Sequence, residues 1–398
     1  MLILTALTGT LVLAAPGMSL SVLFSEISSD LHLSVAQVGW IWGIGSLPAI
    51  ASSLLGGAIT DRFGPKRVMI ASISLLGAAI GLRGLANNFA SQMVMALVIG
   101  ALSPLISTCA IKVCGLWFPK RQWGLANGIF TLGMAFGFLI GSLLSATVLS
   151  PWLGGWRHVM FLYGALCFVL IAPWFFSSAR PPKREAGLPS LPVGRSIAHI
   201  LKQKNIWLLG FAMLGAGGCM QGMTGYLPLY LQGQGWSGAS ADGALATLHA
   251  MSMTFVLPLT MLSDHLRDRK PLLMGMLVLI TASNTLLAAV NGWAVWTAAA
   301  MGGMVRDASM ALLFTMAVES EGVGPVYAGT ATGFMVLNTN LGGLIASPAG
   351  NQLASIFPRL PFAFWASLAA LGFFSLLWVK SPRRKPALVE PGAIESEA

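Results

Sequence analysis

Charged side chains in the middle of long apolar segments are the residues of this sequence best suited to bind a solute. Arg306 and Asp307 are adjacent near the centre of the apolar segment 293–316. An ionisable group at mid-membrane is costly unless it is paired or hydrated, so it marks a candidate site. Arg306 offers a fixed fork of donors to a carboxylate or similar anion, and Asp307 could titrate or tune it. The alternative is a structural ion pair that braces the helix.

Lys112 and Asn338 are secondary candidates for substrate contacts in other apolar segments. Lys112 lies on one helical face with Thr108, although it is close enough to water to extend to the surface instead. Asn338 is a polar group within a segment, where an interhelical hydrogen bond is the common alternative. Arg83 lies near the outer end of its segment, where a long side chain can reach water, and we exclude it from the site.

A third group of candidates surrounds Pro228, which can kink its helix. Gln221, Tyr226 and Tyr230 flank this proline, and the two tyrosines are one turn apart. They could line a cavity as hydrogen-bond donors. They could equally belong to an aromatic belt at the outer membrane interface.

Motifs of enzymes and metal sites are missing from the sequence. It contains no phosphate loop ending in Gly-Lys-Ser/Thr, no His-Glu-x-x-His and no Gly-x-Ser-x-Gly. The four cysteines lie in apolar segments without the paired spacing of a zinc or redox site. We therefore predict no catalytic residues, no metal and no cofactor.

The composition indicates a protein of the lipid bilayer. Of the 398 residues, 56% are hydrophobic and only 9% are charged, against about 25% charged in a typical soluble domain. The net charge of +10 arises from short basic clusters between apolar segments. Such clusters are topology signals rather than a surface for nucleic acid, so we expect no nucleic-acid partner. We also expect the protein to be a monomer in the membrane.

Twelve apolar segments are long enough to cross a membrane as helices. Of the 23 Lys and Arg residues, 18 fall in loops and tails on one side, and only Arg157 and Arg359 fall in loops on the other. Because basic residues stay cytoplasmic, both termini are predicted inside an inner (cytoplasmic) membrane. The predicted spans are 2–24, 36–58, 68–86, 90–113, 124–148, 157–177, 205–231, 243–263, 271–290, 293–316, 326–348 and 361–379.

The segment between the sixth and seventh predicted spans divides the chain into halves. It is rich in proline and charge, which indicates a linker. We predict an N-terminal six-helix bundle at 1–178, a cytoplasmic linker at 179–204, a C-terminal six-helix bundle at 205–380 and a cytoplasmic tail at 381–398.

Two short motifs recur at nearly one offset and indicate an internal repeat. Asp61, in the loop after the second span, corresponds to Asp264 after the eighth, an offset of 203. Gly124, at the start of the fifth span, corresponds to Gly329 at the start of the eleventh, an offset of 205. Two halves of common design follow. The glycines of the fifth span, among them Gly133, Gly137 and Gly141, are interpreted as sites of close helix packing.

The loop Gly57-Ala58-Ile59-Thr60-Asp61-Arg62-Phe63-Gly64-Pro65-Lys66-Arg67 resembles the signature loop of the major facilitator superfamily, departing at Thr60 and Pro65. The resemblance implies an all-α integral membrane fold of twelve transmembrane helices in two pseudo-repeated six-helix bundles. It also implies that the first, fourth, seventh and tenth spans line a central cavity.

The same resemblance implies a gate at this loop. Asp61 would accept hydrogen bonds from the amino end of the eleventh span, and this contact would break as the cytoplasmic side opens. The basic residues could instead serve topology alone. The predicted gating residues are Gly57, Asp61, Arg62, Gly64, Lys66, Arg67, Asp264 and Arg267.

We therefore predict a secondary active transporter that moves a small organic anion, such as a carboxylate, by alternating access. A proton or an exchanged anion is the expected coupling ion of such a symporter or antiporter. An efflux transporter for hydrophobic or drug-like compounds is the alternative, and a membrane sensor without transport is a remote third reading.

Overall fold

The computed structural model describes residues 1–119, 122–177, 193–266 and 268–380, and within these ranges the chain is helical without strands. Ten helices in this part of the chain are long and apolar enough to cross a membrane, and two more are long enough, so the total matches the predicted twelve. In chain order, these first to twelfth spans are Leu2–Asp30, Val35–Phe63, Pro65–Arg83, Phe89–Trp117, Leu125–Leu153, Trp156–Phe176, Lys204–Gly233, Gly238–His265, Lys270–Ala289, Ala294–Glu319, Gly324–Leu353 and Leu360–Leu377.

The tenth and eleventh spans are more polar than the others. They have 26 and 30 residues, which is ample for a bilayer. The other ten also meet a strict criterion of apolar composition. The tenth contains Arg306 and Asp307, and the eleventh contains Asn338 and Asn340. The two least apolar spans thus include the polar residues from which a binding site could be built.

Local sequence explains where the spans begin and end. Ser34 starts the second span with a capping box, in which its hydroxyl accepts from the Gln37 N–H at 3.2 Å and Gln37 Oε1 accepts from the Ser34 N–H at 2.8 Å. Gly64 separates the second and third spans at φ +83°, a conformation that L side chains rarely adopt. Pro65 then opens the third span, because its fixed φ suits a helix start.

Matching lysine contacts show the internal repeat in three dimensions. Lys66 Nζ donates to the carbonyl of Phe175, at the end of the sixth span, over 2.7 Å. Lys270 Nζ donates to the carbonyl of Leu377, at the end of the twelfth span, over 2.9 Å. In each half, one lysine therefore ties the start of the third helix to the end of the sixth.

A second matching pair lies at the opposite end of the bundle. Arg157 Nη1 donates to the Gly84 carbonyl at 3.0 Å, and Arg359 Nη1 donates to the Ala289 carbonyl at 3.3 Å. These are the two basic residues that the sequence places in outer loops. The two-fold repeat therefore extends to individual loop contacts at both ends of the molecule.

Glycines of the fifth span allow close contact with the first. A Cβ on Gly137 would lie 2.7 Å from the Thr10 carbonyl oxygen. In the other half, a Cβ on Gly342 of the eleventh span would lie 2.3 Å from the Leu214 carbonyl oxygen of the seventh. Both helix pairs approach too closely for any side chain, as expected for small-residue interfaces in membranes.

A short helix, Val193–Leu201, lies within the segment that the sequence assigns to the linker. Its buried Ile200 is 1% exposed, and the ring of His199 stacks on Tyr327 with centroids 4.2 Å apart. The linker helix therefore packs against the start of the eleventh span. Residues 179–192 of the predicted linker and the predicted tail 381–398 lie outside the described residues.

Candidate functional site

A cavity of about 730 Å³ lies between the two halves. It runs from Trp42 and Gln221 at mid-depth to Ile111 and Gly329 near the predicted cytoplasmic end. Arg83 and Arg306 are the charged residues of its described lining, which contains no acidic side chain. Neutral polar side chains make up much of the remainder: Ser46, Ser53, Ser103, Ser107, Thr108, Gln221, Thr224, Thr332 and Asn340.

Arg306 reaches the cavity from the tenth span and contacts two rings, that of Phe138 and that of His249. Its guanidinium lies 5.5 Å from the ring centroid of Phe138, a fifth-span residue of the other half. Its Nη1 is 3.3 Å from Nδ1 of His249, whose ring stacks on the same Phe138. Since a guanidinium only donates, Nδ1 of His249 accepts here. Arg306 thus sits where the two halves meet.

Asp307 neutralises Arg306 only loosely. Its Oδ1 lies 3.6 Å from Arg306 Nη1, and its Oδ2 accepts a 2.6 Å hydrogen bond from the hydroxyl of Ser252. The Arg306 side chain is 17% exposed. The guanidinium therefore keeps donors that a solute can use, while Asp307 is directed toward the eighth span and is absent from the cavity lining.

Arg83 lines the same cavity, although the sequence argument excludes it. Its side chain is 5% exposed and turns from the outer end of the third span toward the middle of the bundle. Position along a helix indicates that an arginine can reach water, but the direction it takes depends on the packing of neighbouring helices. No pattern in the sequence indicates this inward orientation.

The two asparagines of the eleventh span, Asn338 and Asn340, lie on different faces of the helix. Asn340 lines the cavity. Asn338 instead packs beside Gly210 of the seventh span and donates to the Phe334 carbonyl at 2.8 Å. Gln221, a predicted contact, does line the cavity, and its backbone carbonyl accepts from Trp42 Nε1 at 2.7 Å.

Tyr226 and Tyr230 belong to a buried aromatic cluster rather than to the cavity lining. Tyr226 is 5.9 Å from Trp365, and Tyr230 is 5.0 Å from Phe362, between ring centroids. The Tyr226 hydroxyl donates to the Pro358 carbonyl at 3.2 Å. The cluster joins the seventh and twelfth spans within the C-terminal half.

Hydrogen bonds between the halves close the outer end of the cavity. Asn351 Nδ2 donates to the Val35 carbonyl at 3.1 Å, and the Thr147 hydroxyl donates to Asp242 Oδ2 at 2.9 Å. The Ser21 hydroxyl also donates to the Thr224 carbonyl. Because the cavity lining continues toward the other end, this conformation is closed at the predicted outer end and open toward the predicted cytoplasmic side.

Lys112 lies outside the cavity lining and contacts the predicted gate. Its Nζ is 2.9 Å from Asp61 Oδ1 and donates to the Gly57 carbonyl at 2.8 Å. Asp61 therefore contacts the fourth span in this open conformation. Its hydrogen bonds to the amino end of the eleventh span stay a prediction for the closed conformation.

The equivalent region of the second half, around Asp264, contains linked ion pairs. Arg269 Nη2 lies 2.7 Å from Asp264 Oδ1 and 3.7 Å from Glu319 Oε1, at the end of the tenth span. Arg267, the predicted partner in this region, lies outside the described residues. In each half, the acid predicted in the loop thus lies in the last turn of the preceding helix, the second or the eighth span, and is linked to the end of the fourth or the tenth span.

The other predicted gating residues lie at the same end of the molecule. The Arg62 guanidinium lies 5.3 Å from the ring centroid of Phe63, and the Arg67 side chain is exposed. A Cβ on Gly57 or Gly64 would meet no atom within 4 Å. Within the described residues, no cluster of His, Cys, Asp and Glu could hold a metal ion.

Comparisons with known proteins agree with this architecture. The sequence model described as Major Facilitator Superfamily matches residues 6–337. A probable nitrate/nitrite antiporter of Thermus thermophilus is 25% identical over 405 aligned positions, covering 94% of this chain and 89% of that protein. A hexuronate transporter of Bacillus subtilis (strain 168) is 22% identical over an alignment that covers 95% of this chain and 93% of that protein.

Solved structures share the fold at lower sequence identity. A nucleoside transporter superposes with a TM-score of 0.78 at 13% identity, covering 94% of this chain and 98% of its own. An inward-facing bacterial homologue of the human lysosomal transporter Spinster superposes with a TM-score of 0.75 at 16% identity. The superposition covers 95% of this chain and 94% of that chain. These similarities concern the arrangement of the helices.

Proposed function

This chain belongs to the Major Facilitator Superfamily of membrane transporters, and from that premise we propose that it carries a small organic anion across the membrane by alternating access. The observation that carries the proposal is the charge of the central cavity. Two arginines and no acidic side chain line its described part. An enclosed positive potential attracts anions and disfavours cations.

The printed names of several relatives support an anionic substrate. Besides the nitrate/nitrite antiporter and the hexuronate transporter, a probable galactarate/D-glucarate transporter of Escherichia coli (strain K12) is 26% identical over 162 positions, 39% of this chain. A cavity of about 730 Å³ exceeds what an inorganic anion needs. Its hydroxyl and amide side chains suit a hydroxylated carboxylate, since each can donate and accept hydrogen bonds.

Arg306 is the proposed anchor for the substrate carboxylate. It is partly exposed to the cavity, it is only loosely paired with Asp307, and Phe138 of the opposite half holds its guanidinium. A substrate bound to Arg306 also lies against the N-terminal half. Binding could therefore favour closure of the halves around the solute, as alternating access requires.

The basic loops indicate the membrane and the orientation of the transporter. We place it in the inner membrane with both termini cytoplasmic, because of the basic residues in the loops on one side. A proton or an exchanged anion is the proposed coupling ion. We propose that the transporter acts as a monomer.

Ligand binding and flux test the proposal together. Purified protein is heated with a panel of carboxylates, nitrate and cationic or hydrophobic dyes, and ligands that raise the unfolding temperature are then tested for flux into proteoliposomes. We expect stabilisation and saturable flux with carboxylates. Stabilisation by the dyes alone would favour the export alternative, and binding without flux would favour a sensor.

A further inference from the structure

Arg83 is a buried cation. It is 5% exposed, and within the described residues no ion pair joins it to an acidic side chain. Its Nε is buried without a hydrogen-bond partner. Arg157, at the same end of the bundle, is instead paired with Asp30 at 2.9 Å. An enclosed guanidinium is costly unless it is paired or hydrated, so an anion that reaches Arg83 would meet a positive charge that no acid of the described residues neutralises.

The space in front of Arg83 is open to the substrate cavity. A Cβ on Gly17 would meet no atom within 4 Å. Gly17, Ile99 and Ser103 line both the main cavity and a smaller pocket of about 60 Å³ beside Arg83. The two spaces therefore adjoin at Gly17, and Arg83 lines both of them. A solute in the main cavity can reach the guanidinium.

We propose that Arg83 is a second anion-binding group of the cavity and that the transported solute carries two acidic groups. One group binds Arg83 of the N-terminal half, and the other binds Arg306 of the C-terminal half. This inference rests on the proposed function and narrows its substrate class to small dianions.

The charge distribution explains why two acidic groups fit better than one. A monoanion on Arg306 leaves Arg83 without compensation, whereas a dianion neutralises both guanidinium groups. Neutral side chains such as Ser46 and Thr224 belong to the same lining and can bind hydroxyls of the solute. Contact with both halves also makes binding sensitive to their relative position, because closure brings both arginines to one ligand.

Matched pairs of acids test the inference by titration of the purified protein. Succinate is compared with butyrate, and galactarate with galactonate, so that each pair differs in one carboxylate. We expect at least one dianion to bind about ten-fold more tightly than its monoanion. In R83Q, the dianion should lose about ten- to hundred-fold in affinity, and the monoanion should lose much less, because it keeps its contact with Arg306. R306Q should weaken both acids.

Each alternative outcome has a distinct meaning. Unchanged dianion affinity in folded R83Q, or an equal loss for both acids of a pair, overturns the inference. Wild-type protein that binds monoanions as tightly as dianions also overturns it but leaves the proposed function intact. Wild-type protein that binds no anion overturns the proposed function itself.

Two further variants guard against a folding defect. G17L keeps Arg83 but fills the opening in front of it, so it should abolish the preference for dianions as R83Q does. A retained preference in G17L would contradict the inference even if R83Q fails to fold. R195Q removes an exposed positive charge on the linker helix, outside the cavity, and should leave both affinities unchanged.

Discussion

Asp61 and Lys112 form an ion pair of 2.9 Å that joins the last turn of the second span to the end of the fourth. Lys112 also donates to the Gly57 carbonyl, so the lysine contacts the second span at two points. The pair occurs in a conformation that is closed at the outer end. It therefore occupies Asp61 when the predicted contact with the eleventh span is broken.

Replacing Lys112 should shift the protein toward the conformation closed on the cytoplasmic side. The side chains are 30% and 61% exposed, so the pair is expected to contribute only about 0.2–1 kcal/mol, a roughly 1.5- to 5-fold change in population. Distances between spin labels on the two halves, compared in wild type and K112Q, measure this shift. An unchanged distribution, or an equal shift in R195Q, would reject a role for the pair in gating.

Enlarging Gly39 should prevent closure of the outer end. A Cβ at this position would lie 2.6 Å from Asn351 Cβ and 2.7 Å from the Ser347 carbonyl oxygen of the other half. We expect G39V to remain open outside and to lose transport. The check is the reactivity of a cysteine introduced at the cavity residue Ser46 toward an impermeant thiol reagent added from each side.

G115V is the matched control for this experiment, because a Cβ on Gly115 meets no atom within 4 Å. It should label like wild type. Labelling of G39V mainly from the predicted cytoplasmic side, as in the closed-outside structure, would count against the assignment of this contact to the outer gate.

The glycine contacts between the first and fifth spans should be essential for stability. In G137L, the new side chain meets the backbone of Thr10, which cannot move without displacing the first span. Overpacking of this kind costs about 1–3 kcal/mol or more. Thermal unfolding in detergent should show a clear loss for G137L and little change for G128A, where a Cβ meets nothing within 4 Å. Equal unfolding temperatures would contradict the packing.

Span number and the repeat could be predicted from sequence because each depends on a property that is local or periodic. Apolar length determines whether a segment can cross a bilayer, and the shared offset reveals two similar halves. Even the outer-loop arginines, Arg157 and Arg359, occupy matching contacts. The linker helix was missed because its apolar residues cover only about two turns.

The details of the site depend on helix phase and packing, which one sequence does not contain. Asn338 and Asn340 differ by two positions, yet only Asn340 faces the cavity. The height of Arg83 on the third span predicts contact with water, but in the structure its side chain lines the cavity. A tyrosine hydroxyl can bind a solute, which makes Tyr226 a candidate from sequence, but in the structure its ring packs against Trp365.

Loss of the acid beside the anchor should have a smaller effect than loss of the anchor. D307N keeps an acceptor for the Ser252 hydroxyl but removes the charge 3.6 Å from Arg306. We expect anion affinity to stay the same or rise by a few-fold, because Arg306 then lacks a competing carboxylate. If transport is proton-coupled through Asp307, D307N will bind but not accumulate the anion. A fall in affinity as large as that of R306Q would contradict this assignment.

Uptake of a radiolabelled carboxylate into proteoliposomes, compared between wild type and R306Q, tests the central claim most directly. We predict saturable uptake by wild type that other anions inhibit, and a loss of about ten- to hundred-fold in kcat/KM for R306Q, as expected when charged hydrogen bonds to a solute are removed. Wild-type rates in correctly folded and inserted R306Q would contradict an anion site at the meeting point of the two halves.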